Sequence, residues 1–158
     1  LDLLILALEQ NLDQTQFNEK IAQVWRGLWL DRPCGLLLNH PLALNNRSWK
    51  DVFCAFPVTT EPSPESLAGV EAWEQLGIVR KLAPACVCCT QQGQLGLVLA
   101  GMYRALKAFR PKEQADHADL SVLLVSTPQI SQRGLLRGLR YLQPPVRVVS
   151  ISGETLAH

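Results

Sequence analysis

The chain has 158 residues and a mass of 17.5 kDa, enough for one domain built around a single core. With 47% hydrophobic and 18% charged residues it is too apolar for intrinsic disorder, and five cysteines are too few and unevenly paired for a disulfide framework. A net charge of +1 gives no global reason to bind nucleic acid or an anionic membrane.

The first residue is Leu1 and the sole methionine is Met102, so the expectation is a single domain with a processed start or one excised from a longer chain. The apolar run Leu3 to Leu8 follows Asp2 and lacks the basic flank and small-residue cleavage site of a signal peptide, and it is assigned no element. Leu12, Phe17, Ile21, Val24, Trp25 and Leu28 recur at helical spacing and predict an amphipathic helix over 14–29, ended by Arg32-Pro33. Gly35 to Asn39 reads as a short strand buried on both faces, with a loop over 40–50 and a second strand over 51–56.

Ser63-Pro64-Glu65 combines a capping serine, proline at the first helical position and an acid in the first turn, which predicts a helix to about Leu76. Residues 78–82 are expected to form a short strand and Ala85 to Cys89 another. After the turn at 90–93 comes a helix carrying Leu95, Leu99, Met102, Leu106 and Phe109 on one face. A polar linker over 111–119 precedes the clearest strand, 121–126. Thr127-Pro128 opens a helix to about Leu142, and Val146 to Ile151 closes the chain as a strand. The alternation predicts an α/β fold: a three-layer sandwich, a mainly parallel sheet of five or six strands with helices on both faces.

The longest uncharged run, 82–103, would reach across a bilayer. Pro84, Thr90, Gln91, Gln92 and Gln94 stand inside it, and no membrane span is expected. Four of the five cysteines lie in apolar strand-like runs, which suits packing and a reducing compartment, the cytoplasm. Cys86, Cys88 and Cys89 have no second cysteine pair to complete a metal site, so no metal or cofactor is expected.

Ligands of open parallel sheets bind beyond the carboxyl ends of the strands, where polar residues cluster here. His40, beside Asn39, is the foremost acid–base candidate. Ser126 and Thr127 place two hydroxyls at a helix start that suits a phosphate or carboxylate, or that simply caps the helix, and Ser152 ends the last strand. No nucleotide-binding glycine loop or catalytic motif is present, and no catalytic residue is assigned.

Charge is unevenly spread: residues 1–79 sum to −5 and residues 80–158 to +6. On the last helix Arg133, Arg137 and Arg140 fall within about 60° of arc, opposite Leu135, Leu139 and Leu142. Such a stripe suits a partner's carboxylates or phosphates, and equally a solvated outer face. The sequence therefore favours a non-catalytic protein-interaction module or assembly subunit that uses this basic face to hold a protein partner. The alternatives are an enzyme or small anionic-ligand binder at the strand ends, and a nucleic-acid-binding accessory domain.

Overall fold

A computed structural model of the chain describes residues 1–31, 34–44, 77–82, 92–109, 120–130, 132–140, 142 and 145–151. The strand expected over 51–56, the helix over 63–76, the strand over 85–89 and the linker over 111–119 lie outside these residues, as do Cys54, Cys86, Cys88, Cys89, Trp49 and Trp73. Five strands are described: β1 (Asp2–Ala7), β2 (Cys34–Leu38), β3 (Val79–Lys81), β4 (Ser121–Ser126) and β5 (Arg147–Ile151). Four helices accompany them: α1 (Gln14–Asp31), α2 (Pro41–Leu44), α3 (Gln92–Phe109) and α4 (Gln132–Leu139). The strands form one all-parallel sheet in the order β3-β2-β4-β1-β5, which establishes the α/β class.

The run Leu3 to Leu8, assigned no element above, supplies β1, which sits between β4 and β5. A strand buried on both faces does not alternate apolar with polar residues, so periodicity gives it no signature. Leu3, Ile5 and Leu6 are buried, and Leu4 is partly buried against the core. Asp2 starts the strand and accepts a two-pronged hydrogen bond from Arg147 of β5, Nε to Oδ1 at 3.0 Å and Nη2 to Oδ2 at 2.8 Å. The Arg147 side chain is largely solvated, so this pair sets the register of β1 against β5 more than it adds stability.

Helix α1 follows the expected amphipathic pattern. Asp13 caps it through its carboxylate to the Thr15 N–H, while Phe17, Ile21, Val24 and Trp25 are buried. The Trp25 indole N–H donates to the Cys34 carbonyl at 2.7 Å, anchoring the helix at the start of β2. At the other end of the chain the helix is shorter than expected. Thr127 to Ile130 is a turn closed by the Ile130 N–H on the Thr127 carbonyl, and α4 begins only at Gln132. Pro128 therefore presets a turn rather than a first helical residue.

The sheet is covered on both sides, as the complete burial of β2 and β4 requires. A Cβ on Gly35 would lie 2.8 Å from the Met102 Cε of α3 and 3.3 Å from a Val122 methyl, so Gly35, Leu37, Val122 and Leu124 share the α3 side. Helices α3 and α4 pack against each other there, and α4 inserts Leu135 and Leu139. Crossovers between parallel strands are right-handed, and β1→β2 runs across the sheet in the opposite direction to β4→β5. Helix α1 accordingly takes the other side, where His40, one step beyond β2, stacks on Phe17.

Gly35 leaves the space that Met102 fills. Gly35→Val is expected to cost about 1–3 kcal/mol by overpacking, read from urea denaturation, and Met102→Ala in the same protein is expected to return part of that loss.

Candidate functional site

Three strands end side by side at the carboxyl edge of the sheet: β2, β4 and β1. The last bonds that join them run from the Asn39 N–H to the Val125 carbonyl and from the Leu8 N–H to the Ser126 carbonyl, 2.9 and 2.8 Å. With Leu38 paired to Val125 and Ala7 to Ser126, one further step brings Asn39 level with Ser126. Successive side chains alternate across the sheet, so the two residues that follow Leu38 part company. His40 goes to the α1 side and Asn39 to the side of α3 and α4.

His40 is fully buried. Its Nδ1 accepts the Leu42 N–H at 3.1 Å, which leaves the proton on Nε2, and Nε2–H donates to the Leu8 carbonyl at 2.8 Å. The ring centroid stands 4.7 Å from that of Phe17. Burial pushes the imidazole below its ordinary value of 6.5, and the bond to Leu8 offsets this only in part. The side chain thus straps the end of β2 to the end of β1 across the end of β4. Helix α2 is drawn to the same side, because the Gln14 amide donates to the Leu42 carbonyl at 3.1 Å.

On the opposite side Asn39 and Ser126 are both buried, at 5% and 4% exposure. The Asn39 Oδ1 has no hydrogen-bond partner among the described residues. A buried acceptor left in this state costs about 1–3 kcal/mol. Ala7, the neighbour of Ser126 on β1, is exposed, so solvent reaches this level of the sheet. Helix α4 begins six residues after Ser126, with the Gln132 amide hydrogen-bonded to the Ser150 hydroxyl of β5. Its first turn contains Arg133 and no acid.

The sequence-based candidates therefore fall into separate groups. His40 and Ser126 are neighbours at one edge but face opposite sides, and both nitrogens of His40 are committed to backbone groups. Ser152 lies outside the described residues. Asn39, which sequence reasoning placed only among the residues of the strand ends, is the polar side chain with an unmet bond. Its signal was positional: a polar residue closing an apolar strand one step before a histidine.

Arg133 and Arg137 on α4 and Arg140 just past its end are exposed, with Leu135 and Leu139 buried on the other side of the helix, as the spacing predicts. Leu136 is 48% exposed about 40° outside that arc, on the side toward Leu139, and Leu97 of α3 is 76% exposed. Helices α3 and α4 together carry Arg104, Lys107, Arg133 and Arg137 and no acidic residue. Among the described residues no group of His, Cys, Asp and Glu is arranged to hold a metal ion, and Cys34 is a buried free thiol. No helix among them is long and apolar enough to cross a membrane. Comparison with protein-family models, with curated proteins and with solved structures finds no match.

The folded protein holds His40 neutral while the unfolded chain protonates it near 6.5. Its contribution to stability is complete above that value and is lost as pH falls from 6.5 toward the depressed folded value. Urea midpoints measured at stepped pH are expected to fall below this point. His40→Gln, whose amide N–H still reaches the Leu8 carbonyl, is expected to fall less steeply.

Proposed function

We propose that this domain is a non-catalytic protein-interaction module, a subunit of a larger assembly, that docks an acidic partner surface on the outer face of α4. The observation that carries this reading is Leu136, 48% exposed on the flank of the arginine stripe, between it and the buried face of α4. A merely solvated face has no need of a leucine there, whereas a docking face gains from an apolar contact flanked by charge. Arginine suits such a ring, because its planar guanidinium pairs with carboxylates in two-pronged fashion. Gly134 and Gly138 are half-buried beside the stripe and keep the helix surface low there.

Charge distribution supports a protein partner over a nucleic acid. The stripe spans two helical turns, and no exposed aromatic residue among the described ones stands beside it to stack a base. Acid–base catalysis by His40 is the weaker alternative, since both ring nitrogens are engaged and the ring is buried.

The test is affinity capture from lysate of the source cell, with and without nuclease treatment, with wild-type protein and Arg137→Glu as paired baits. A protein captured in near-stoichiometric amount, released by salt and weakened about tenfold or more by the charge reversal is expected. Leu136→Asp is expected to act in the same direction while leaving the circular dichroism of the free domain unchanged. Equal capture by wild type and both variants overturns the proposal, and recovery of nucleic acid alone replaces the protein partner with that ligand.

A further inference from the structure

The order β3-β2-β4-β1-β5 leaves two strands with one open edge each, and the two edges are unlike. Strand β3 has three residues, and two of them, Arg80 and Lys81, are exposed cations. A short edge that carries like charges repels a copy of itself. Strand β5 has five residues, and the run from Val148 to Ile151 contains neither charge nor proline. None of the five is fully buried: Arg147 and Ser150 are exposed, and Val148, Val149 and Ile151 are half-buried. The one charge on the strand, Arg147, is engaged by Asp2 of β1. The parallel ladder fixes which main-chain groups point outward. The Arg147 N–H donates to the Leu1 carbonyl at 2.9 Å, so Arg147, Val149 and Ile151 turn their N–H and C=O groups toward β1. Val148 and Ser150 turn theirs away, and among the described residues no strand lies beyond them.

We infer that β5 is the seam of a homodimer, in which the β5 strands of two copies pair antiparallel about a two-fold axis through Val149. The outward groups are self-complementary about that axis. Val148 of each copy stands opposite Ser150 of the other, and each such pair exchanges both of its main-chain hydrogen bonds. Val149 meets its own counterpart at the axis, between the bonded pairs, where side chains come closest and β-branched residues pack well. Arg147 of each copy falls opposite Ile151 of the other, so no like charges meet along the seam. A strand from a different protein would have to match this edge with no charge on it to select that strand, whereas a second copy matches it by symmetry alone. The cationic β3 edge of each copy stays guarded, so the assembly closes at two chains and does not grow into a fibre. This inference does not rest on the docking face of α4, and the failure of either proposal leaves the other standing.

The experiment is sedimentation equilibrium of the full chain over about a hundredfold range of concentration, paired with amide hydrogen exchange. The mass of two 17.5 kDa chains is expected at the upper end, falling toward that of one on dilution. The Val148 and Ser150 amides are expected to exchange slowly in the dimer and rapidly once it dissociates, since no described residue accepts from them. Val149→Lys sets two cations against each other at the axis and is expected to weaken association about tenfold or more. Ser150→Pro removes an N–H that the ladder to β1 does not use. It is expected to act in the same direction while circular dichroism shows the single chain still folded. The mass of one chain at every concentration overturns the inference. So does a dimer whose Val148 and Ser150 amides still exchange rapidly, or one that both variants leave intact. Growth beyond two chains overturns the closed pair.

Discussion

The constraint on which the rest of this structure depends is the complete burial of β4. All six of its residues, Ser121 to Ser126, are shielded, with hydrogen-bonded strands on both edges and cover on both faces. A parallel strand in that position has no solvated side to fall back on, so helices must come from both directions. Right-handed crossovers supply them only if one connection crosses the sheet leftward and another rightward. The order β3-β2-β4-β1-β5 meets that demand, with α1 carried one way and α4 the other. The divergence of chain at the ends of β2 and β4 is then a by-product of covering the centre.

The strap formed by His40 follows from the same geometry. Strands β1 and β2 are consecutive in the chain yet separated in the sheet by β4, so their ends have no ladder bond between them. A side chain of imidazole length bridges the gap, and its second nitrogen is occupied by the Leu42 N–H. Neutrality is essential to this role: a charged ring could not accept the Leu42 proton and would be buried without a counter-charge. The same burial that removes His40 from solution chemistry makes one side of the strand ends rigid.

Much of the framework was legible in the residues, for identifiable reasons. Helix α1 announced itself through Phe17, Ile21, Val24 and Trp25 at 3.6-residue spacing, and β4 through an unbroken apolar run between polar flanks. The outward display of Arg133, Arg137 and Arg140 followed from arc arithmetic, because a helix has one period and a buried side identified by Leu135 and Leu139. The first strand was not legible. Its leucines lack both alternation and β-branching, and its partners are residues 121–126 and 147–151, which local sequence cannot announce. The site was half legible: strand ends could be named, but which neighbouring end residues share a side depends on the register between β2 and β4. Without it, His40 looks like the reactive group and Asn39 like its bystander.

That long-range pairing of β1 has a kinetic side. The strand is synthesised before either of its partners, so both of its hydrogen-bonding edges wait for residues 121–126 and 147–151. Until they arrive, Leu3 to Leu6 is an apolar ribbon with two open edges, the kind of segment that pairs with copies of itself. Loop closure over such distances is slow to complete. The two-pronged bond between Asp2 and Arg147 therefore matters less for how tightly the finished sheet holds than for which partner the waiting strand accepts. A carboxylate at its first position places charge on an otherwise aggregation-prone edge, and that charge finds its match only in the correct, late-arriving neighbour.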